Sequence, residues 1–327
     1  MTWDRRRFVA ASAALAAGAT ARTLVKPHYH ADLRKARSRV AILSVAEYSS
    51  NFEAVLLPAL KEFNLNVVGK SVLLKPNLVE HIPKRPVNTH PKLVGAAASC
   101  FLRLGAARVV VGEGPGHERD TEKVVTEAGL AGELGDRSIQ FSDLNRDELT
   151  RVKTAADYSG LEDLWLPRTV LQADLVVSMP KVKTHHWAGV TLSMKNMFGI
   201  IPGMKYGWPK NILHWHGIHD SILDICATVP ISFVIADGIE TMEGNGPIQG
   251  ELRRLGRIIL ADDPVAADAT CARLMGLDPH LIRHIDQGGG FLGNLDENRI
   301  EMLGEAVPRN TSPFRVLPEF RSLQIKV

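Results

Sequence analysis

Apolar positions along this chain follow two alternating rhythms. Short aliphatic and β-branched runs at Val40–Val45, Ser71–Leu74, Arg108–Val111, Leu175–Val177, Phe233–Ala236 and Arg257–Leu260 predict buried strands. Between them, apolar residues at helical spacing predict amphipathic helices over Phe52–Phe63, Pro91–Leu104, Thr121–Ala128 and Pro264–Met275. Gly105, Gly129 and Gly276 end three of these helices, and a proline opens two of them. Asp263 reads as the N-cap ahead of Pro264, and Asn88 or Thr89 as the cap of the helix near Pro91. Strands alternating with helices predict an α/β fold, a largely parallel sheet with helices on both faces. Two lobes around a central cleft are expected.

One stretch breaks the rhythm. After a strand at Asp174–Ser178 the chain places Lys181, Lys183, His185, His186, Lys195, Asn196, Lys205, Lys210, His214 and His216 among glycines and prolines. No apolar periodicity accounts for that density of cations and imidazoles, and it reads as loop and short helix. Open α/β sheets bind ligands beyond the carboxyl ends of their strands, so an anion- or cofactor-binding site is expected here. Lys181 and Lys183, with Lys75 from the second strand, would hold a carboxylate or phosphate as point charges, with Asn77 and Asn196 as polar contacts. The loop after the third strand, Gly112 to Arg119, offers Gly114 and Gly116 for close backbone approach and a following helix N-terminus for negative charge. Its glycines alternate, so the dinucleotide pattern GxGxxG is absent. His117 and His185 are candidate acid/base groups because imidazole titrates near neutrality. Lys195 is a candidate covalent or electrostatic tether.

A divalent metal is a further expectation, with His214, Asp237 and Glu243 as ligands. Asp237, Glu240 and Glu243, in the stretch 237–250 that reads as a loop, are hard oxygen donors, or else partners for the lysines. A second metal reading uses His214-x-His216-x-x-His219, and residue type does not choose the ion. Any one of these histidines has an ordinary structural role as its alternative. The case rests on the cluster.

Composition narrows the class. Hydrophobic content of 45% and charged content of 23% over 327 residues are those of a soluble globular chain. Asp4 and Arg5–Arg7 account for +2 of the net charge of +3. The remaining charge of about +1 gives no support for a nucleic-acid or membrane-surface partner. Cys100, Cys226 and Cys271 have no CxxC spacing, so no iron–sulfur cluster is expected from the chain's own cysteines, nor a disulfide framework. GxSxG, HExxH and P-loop patterns are absent.

The N-terminus is a basic run, an Ala-rich mildly apolar stretch and an Ala19-Thr20-Ala21 step. Residues 1–21 are therefore expected to be a signal peptide. Paired arginines before Phe8 resemble a twin-arginine signal, which implies the twin-arginine export machinery as a partner and a periplasmic or extracytoplasmic location. The apolar stretch is too short for a stable membrane span. Residues 22–37 read as a linker and 38–327 as a single α/β domain.

Four motifs in order, KPNL at 75–78, MPKVKTHHWAGVTLSMKNMFGIIPG at 179–203, DGIETMEGNGP at 237–247 and DDPVAADATCARLMGLDP at 262–279, resemble the bacterial and archaeal family called domain of unknown function 362. The resemblance covers roughly residues 38–304. Many members of that family carry a ferredoxin-like module, which this chain lacks the cysteines to build; a redox partner is the residual implication. A fainter similarity is to lactate-racemase-like proteins, which use a nickel-pincer nucleotide tethered to a lysine with histidines around it. That similarity is carried by His117 in the Gly-rich loop, His185, Lys195 ten residues later, Pro202-Gly203 and His214. Glu118 separates His117 from Arg119, Ser193-Met194 replaces a glycine pair, and Lys75-Pro76-Asn77 replaces an acidic-basic turn. The resemblances imply a small anionic ligand or cofactor and an isomerase, racemase-like or redox-associated enzyme. The alternative is a non-catalytic exported binding protein.

Overall fold

A computed structural model describes residues 32–308 and 312–326. The expected leader lies outside these residues, as does most of the expected linker. Leu33 N–H donates to the Phe291 carbonyl at 2.7 Å, and the Lys35 ammonium to the Asp262 carbonyl at 2.7 Å. The last residues before the first strand are thus fastened to the domain.

Twelve strands occur among the described residues: β1 Ser38–Ser44, β2 Ser71–Pro76, β3 Arg108–Glu113, β4 Gln140–Asp143, β5 Leu149–Lys153, β6 Asp163–Pro167, β7 Leu175–Met179, β8 Lys181–His185, β9 Gly189–Thr191, β10 Phe233–Glu243, β11 Glu251–Ala261 and β12 Ile300–Gly304. Ten of them make one sheet in the order β12-β1-β11-β10-β7-β2-β3-β4, with β8 on β10 and β9 on β8. Pairings from β10 through β7, β2 and β3 to β4 are parallel, whereas β11 runs antiparallel to both β1 and β10. β5 and β6 form a separate antiparallel pair. The class is α/β, as the sequence predicts.

Strand alternation divides the apolar residues between two cores, one on each face. Val72 and Leu74 of β2 pack with Leu56, Leu60, Leu93 and Phe101, under the helices Phe52–Glu62 and Pro91–Arg103. Leu73, between them, packs on the other face with Ile222, Ile225 and Ala266, under the helices Ile218–Thr228 and Pro264–Leu274. Helices therefore cover both faces, as a mostly parallel sheet requires. Because all ten strands belong to one sheet, the division in this chain is between its faces. Asp263 caps its helix as expected, accepting from Val265 N–H at 2.8 Å and Ala266 N–H at 3.0 Å.

Three local expectations are corrected. Residues 181–185 are a buried strand, with Lys181, Lys183 and His185 alternating with Val182 and Thr184. Residues 237–243 are the second half of β10, paired with β11 to Glu243↔Glu251, and cross-strand Glu240–Arg254 and Glu243–Arg253 pairs offset their charge. Asn88 and Thr89 cap no helix: Asn88 accepts from Val79 N–H at 2.9 Å and Thr89 from Asn77 N–H at 2.9 Å, bracing the loop after β2. Among the described residues no helix is long and apolar enough to cross a membrane.

Candidate functional site

Parallel strands β2, β3, β7 and β10 deliver their carboxyl ends to one edge of the sheet, and a cavity of 710 Å³ opens there. That volume lies in the range of small-molecule sites. Lys75 at the end of β2 and Glu113 at the end of β3 form a fully buried ion pair. The Lys75 ammonium also donates to Asn196 Oδ1 at 3.0 Å and to the Pro76 carbonyl at 2.9 Å. Glu113 in turn accepts from Gly114 N–H at 2.9 Å. Asn196 closes the arrangement by donating to the Lys75 carbonyl and to Ser178 Oγ, both at 3.0 Å, so it ties β2 to β7. Buried charges persist when paired and hydrogen-bonded, and this pair is saturated.

A short helix, Ser193–Asn196, carries Asn196 and Lys195. Its first N–H groups are satisfied from another element. Asp268, within the helix Pro264–Leu274, accepts from Ser193 N–H at 2.7 Å, Ser193 Oγ at 2.6 Å and Met194 N–H at 3.0 Å. Burial pushes the Asp268 carboxyl up to about 7 against those hydrogen bonds. Asp268 thus anchors the turn that aims Lys195 into the cavity.

Three further lysines face the cavity, and among the described residues no carboxylate pairs with them. Lys183, on β8, is completely buried and donates to the Val87 carbonyl at 2.6 Å. Burial, reinforced by the charges of Lys181 and Lys195, holds its amine well below the usual lysine range. Lys210, in a left-handed conformation with φ of 70°, donates to the carbonyls of Gly114 at 2.6 Å and Phe198 at 3.0 Å. Burial pushes it down to about 7. Lys195 makes no hydrogen bond among the described residues, and its Nζ sits 4.1 Å from the Phe198 ring centroid. Burial, then the charge of Lys75, lowers it to about 7, with Glu113 opposing.

Histidines and aromatics form a continuous wall beside Lys195. Ring centroids run from His185 to His186 at 4.9 Å, to Trp187 at 4.6 Å, to His214 at 4.9 Å and to Phe198 at 5.5 Å. His185 Nδ1 accepts from Trp187 N–H at 3.0 Å and Ala188 N–H at 3.1 Å, so the proton of the neutral ring is on Nε2. His186 and His214 do the opposite, donating Nδ1–H to the carbonyls of Gly246 at 2.8 Å and Lys210 at 3.1 Å. Their Nε2 atoms are therefore acceptors. Burial and the charge of Lys195 keep His185 well below its ordinary value and bring His214 to about 4. At neutral pH His185 therefore offers an N–H donor and His214 a lone pair. At the mouth, His117 donates Nδ1–H to Glu80 at 2.7 Å.

Of the residues singled out from sequence, Lys75, Asn77, Gly114, Gly116, His117, Lys183, His185, Lys195, Asn196 and His214 line the cavity. Lys75 and Asn196 are occupied with Glu113 and with each other and serve the scaffold. Gly114 is a packing glycine: its N–H donates to the Gly199 carbonyl at 3.0 Å, and a Cβ there would meet Asn145 Oδ1 at 2.8 Å. The helix after this loop is capped by Asp120, whose carboxylate accepts from Lys123 N–H at 3.0 Å and puts a negative charge where a phosphate would bind. Lys181 lies off the cavity, bonded to Asp237 and Tyr48, each at 2.7 Å. The expected metal trio is not assembled. Asp237 is buried under Lys181, Glu243 is held between Arg253 and Arg315, and His214 stands alone at the cavity. His214, His216 and His219 also diverge, turning to Lys210, Ser159 and His284. Among the described residues no three His, Cys, Asp or Glu side chains converge on a metal position. With Lys75 locked and these donors dispersed, the residues present do not fit the expected metal centre or a nucleotide phosphate at Lys75.

The sequence names His186 and Lys210 within the cluster but gives them no role, and it gives Glu113 and Asp268 no place in the site. Glu113 had a signal, a lone acid ending a strand beside one that ends in lysine. Asp268 had none, because the helix it caps lies 75 residues away.

Comparison with known proteins places the chain. A thylakoid-associated protein of Synechocystis sp. is 29% identical over 224 residues, 65% of this chain and 65% of that protein, so less than two thirds of the relative's length is spanned. Among solved structures, the lactate racemase apoprotein of Thermoanaerobacterium thermosaccharolyticum superposes with a TM-score of 0.45 at 14% identity, over 74% of this chain and 58% of that one. A structural-genomics target from Thermotoga maritima gives a TM-score of 0.38 at 14% identity, over 67% of this chain and 55% of that one. The profile of a family described as a domain of unknown function, DUF362, matches residues 72–273, and the chain belongs to that family.

Proposed function

We propose that the cavity binds a small anionic molecule, a carboxylate or phosphate, and moves protons on it. The observation that carries this reading is a charge imbalance: Lys183, Lys195 and Lys210 share a cavity lined by two acids, Glu113, already paired with Lys75, and the exposed Glu319, which forms no ion pair with any of the three. Each of the three is held below its ordinary protonation range by burial, and an arriving anion restores the charged form. The neutral His185 ring supplies a hydrogen-bond donor and His214 an acceptor, with His117 beside Glu80 at the mouth, a set suited to isomerase or racemase-like chemistry. Export by the twin-arginine route, the expectation from the leader, would place this site outside the cytoplasm.

Calorimetry with inorganic phosphate, oxalate and glycolate at pH 7 tests the reading. At least one anion is expected to bind, with proton uptake visible as a dependence of the heat on buffer ionisation. Lys183→Met and Lys210→Met are each expected to weaken it at least tenfold, about 1.4 kcal/mol. Equal binding by wild type and both variants would remove the anion site.

A further inference from the structure

We propose that Lys195 is a site of reversible carboxylation by carbon dioxide, and that the resulting carbamate supplies the negative charge the lysine cluster lacks. The inference goes beyond anion binding and shares with it only the charge imbalance.

Hydrogen-bond bookkeeping selects this lysine among the four at the cavity. Lys75 is held by Glu113, Asn196 and the Pro76 carbonyl. Lys210 spends two N–H groups on carbonyls, and Lys183 is sealed under Val87 with no exposure of its side chain. Lys195 alone of the four makes no hydrogen bond among the described residues, and it is partly exposed where it lines the cavity. Its contact is an aromatic face, which leaves the nitrogen lone pair uncommitted. An amine brought to about 7 is substantially neutral at physiological pH, as nucleophilic attack requires.

The chemistry balances without a redox partner. The Lys195 nitrogen attacks the carbon of CO2, an N–C bond forms, and one C=O electron pair moves onto oxygen. The nitrogen then gives up a proton to water. The products are a carbamate anion and one proton. Lys183 and Lys210 both feel the charge of Lys195, so both are close enough to favour an anion at that position. Carbamate and a bound free anion would satisfy the same cations and should exclude one another.

The test uses the full chain incubated at neutral pH with 13C-labelled bicarbonate, trapped with a trialkyloxonium salt, then digested and read by mass spectrometry. Trapped label is expected on Lys195, well above the exposed Lys153, and absent in Lys195→Arg. Lys210→Met, which keeps the amine, is expected to lower the label several-fold and guards against misfolding of the arginine variant. Label on Lys195 no greater than on Lys153 would overturn the proposal. Phosphate binding without label rejects the carbamate and leaves the anion site standing. Label without phosphate binding keeps the carbamate and rejects the free-anion reading.

Discussion

A lysine whose amine is half deprotonated at neutral pH leaves a signature in stability. Lys195 and Lys210 stand at about 7 in the folded chain against 10.5 when unfolded. Between those values the unfolded chain binds more protons, so the stability of the ligand-free protein should rise with pH through that window. Each lysine contributes up to about 1.4 kcal/mol per pH unit there. Lys195→Met is expected to flatten the slope in chemical denaturation followed from pH 7 to 10, and an unchanged slope would show that the amine is ordinary. Glu113 makes the converse point. In Glu113→Gln the Lys75 ammonium stays buried without its counter-ion, which should cost roughly 3–5 kcal/mol. Lys75→Met combined with Glu113→Leu is expected to recover much of that loss in the same denaturation assay.

Among elements, the short helix Ser193–Asn196 depends on a cap it does not own. Asp268→Ala removes acceptors from two backbone N–H groups and the Ser193 hydroxyl, and a lost cap of this kind costs about 1–2 kcal/mol. The same variant should also release Lys195, so its anion affinity should fall although Asp268 does not line the cavity. Urea denaturation paired with calorimetry separates the two effects; lost stability with intact affinity would confine Asp268 to a packing role. Strand β8 shows why part of the site was hard to read. Lysine and histidine alternate with valine and threonine from 181 to 185, a period of two that was present in the sequence. Charged residues suggest solvent until the structure supplies Asp237 and Val87 as their partners. The acidic stretch 237–243 was obscured the same way, since its partners Arg253 and Arg254 lie across a hairpin.

At the scale of the whole molecule, the cavity collects one sheet edge, the Gly-rich loop and the histidine wall, so its occupancy should be felt globally. An anion at a hundred times its dissociation constant stabilises the fold by about 2.7 kcal/mol. Because binding recharges lysines that stand at about 7, that stabilisation should shrink as pH rises from 7 to 9. Melting temperatures with and without phosphate at the two pH values measure it; an equal shift at both would mean the lysines do not take up protons. The fold itself rests on two cores separated by a mostly parallel sheet, a property no site substitution should disturb.

Local order was written in the chain. Aliphatic runs, glycine stops and the Asp263-Pro264 cap set the strand and helix positions of the α/β pattern, because these depend on neighbours within a turn or a strand. The density of cations after β7 also marked the segment that lines the cavity. Which of those cations remain available was decided in three dimensions. Lys75, Lys181 and Asn196 became scaffold, Asp237 and Glu243 went to other partners, and Asp268 entered from a distant helix. Burial and pairing set the free energy of a charge, and both are properties of neighbours that the linear sequence holds far apart.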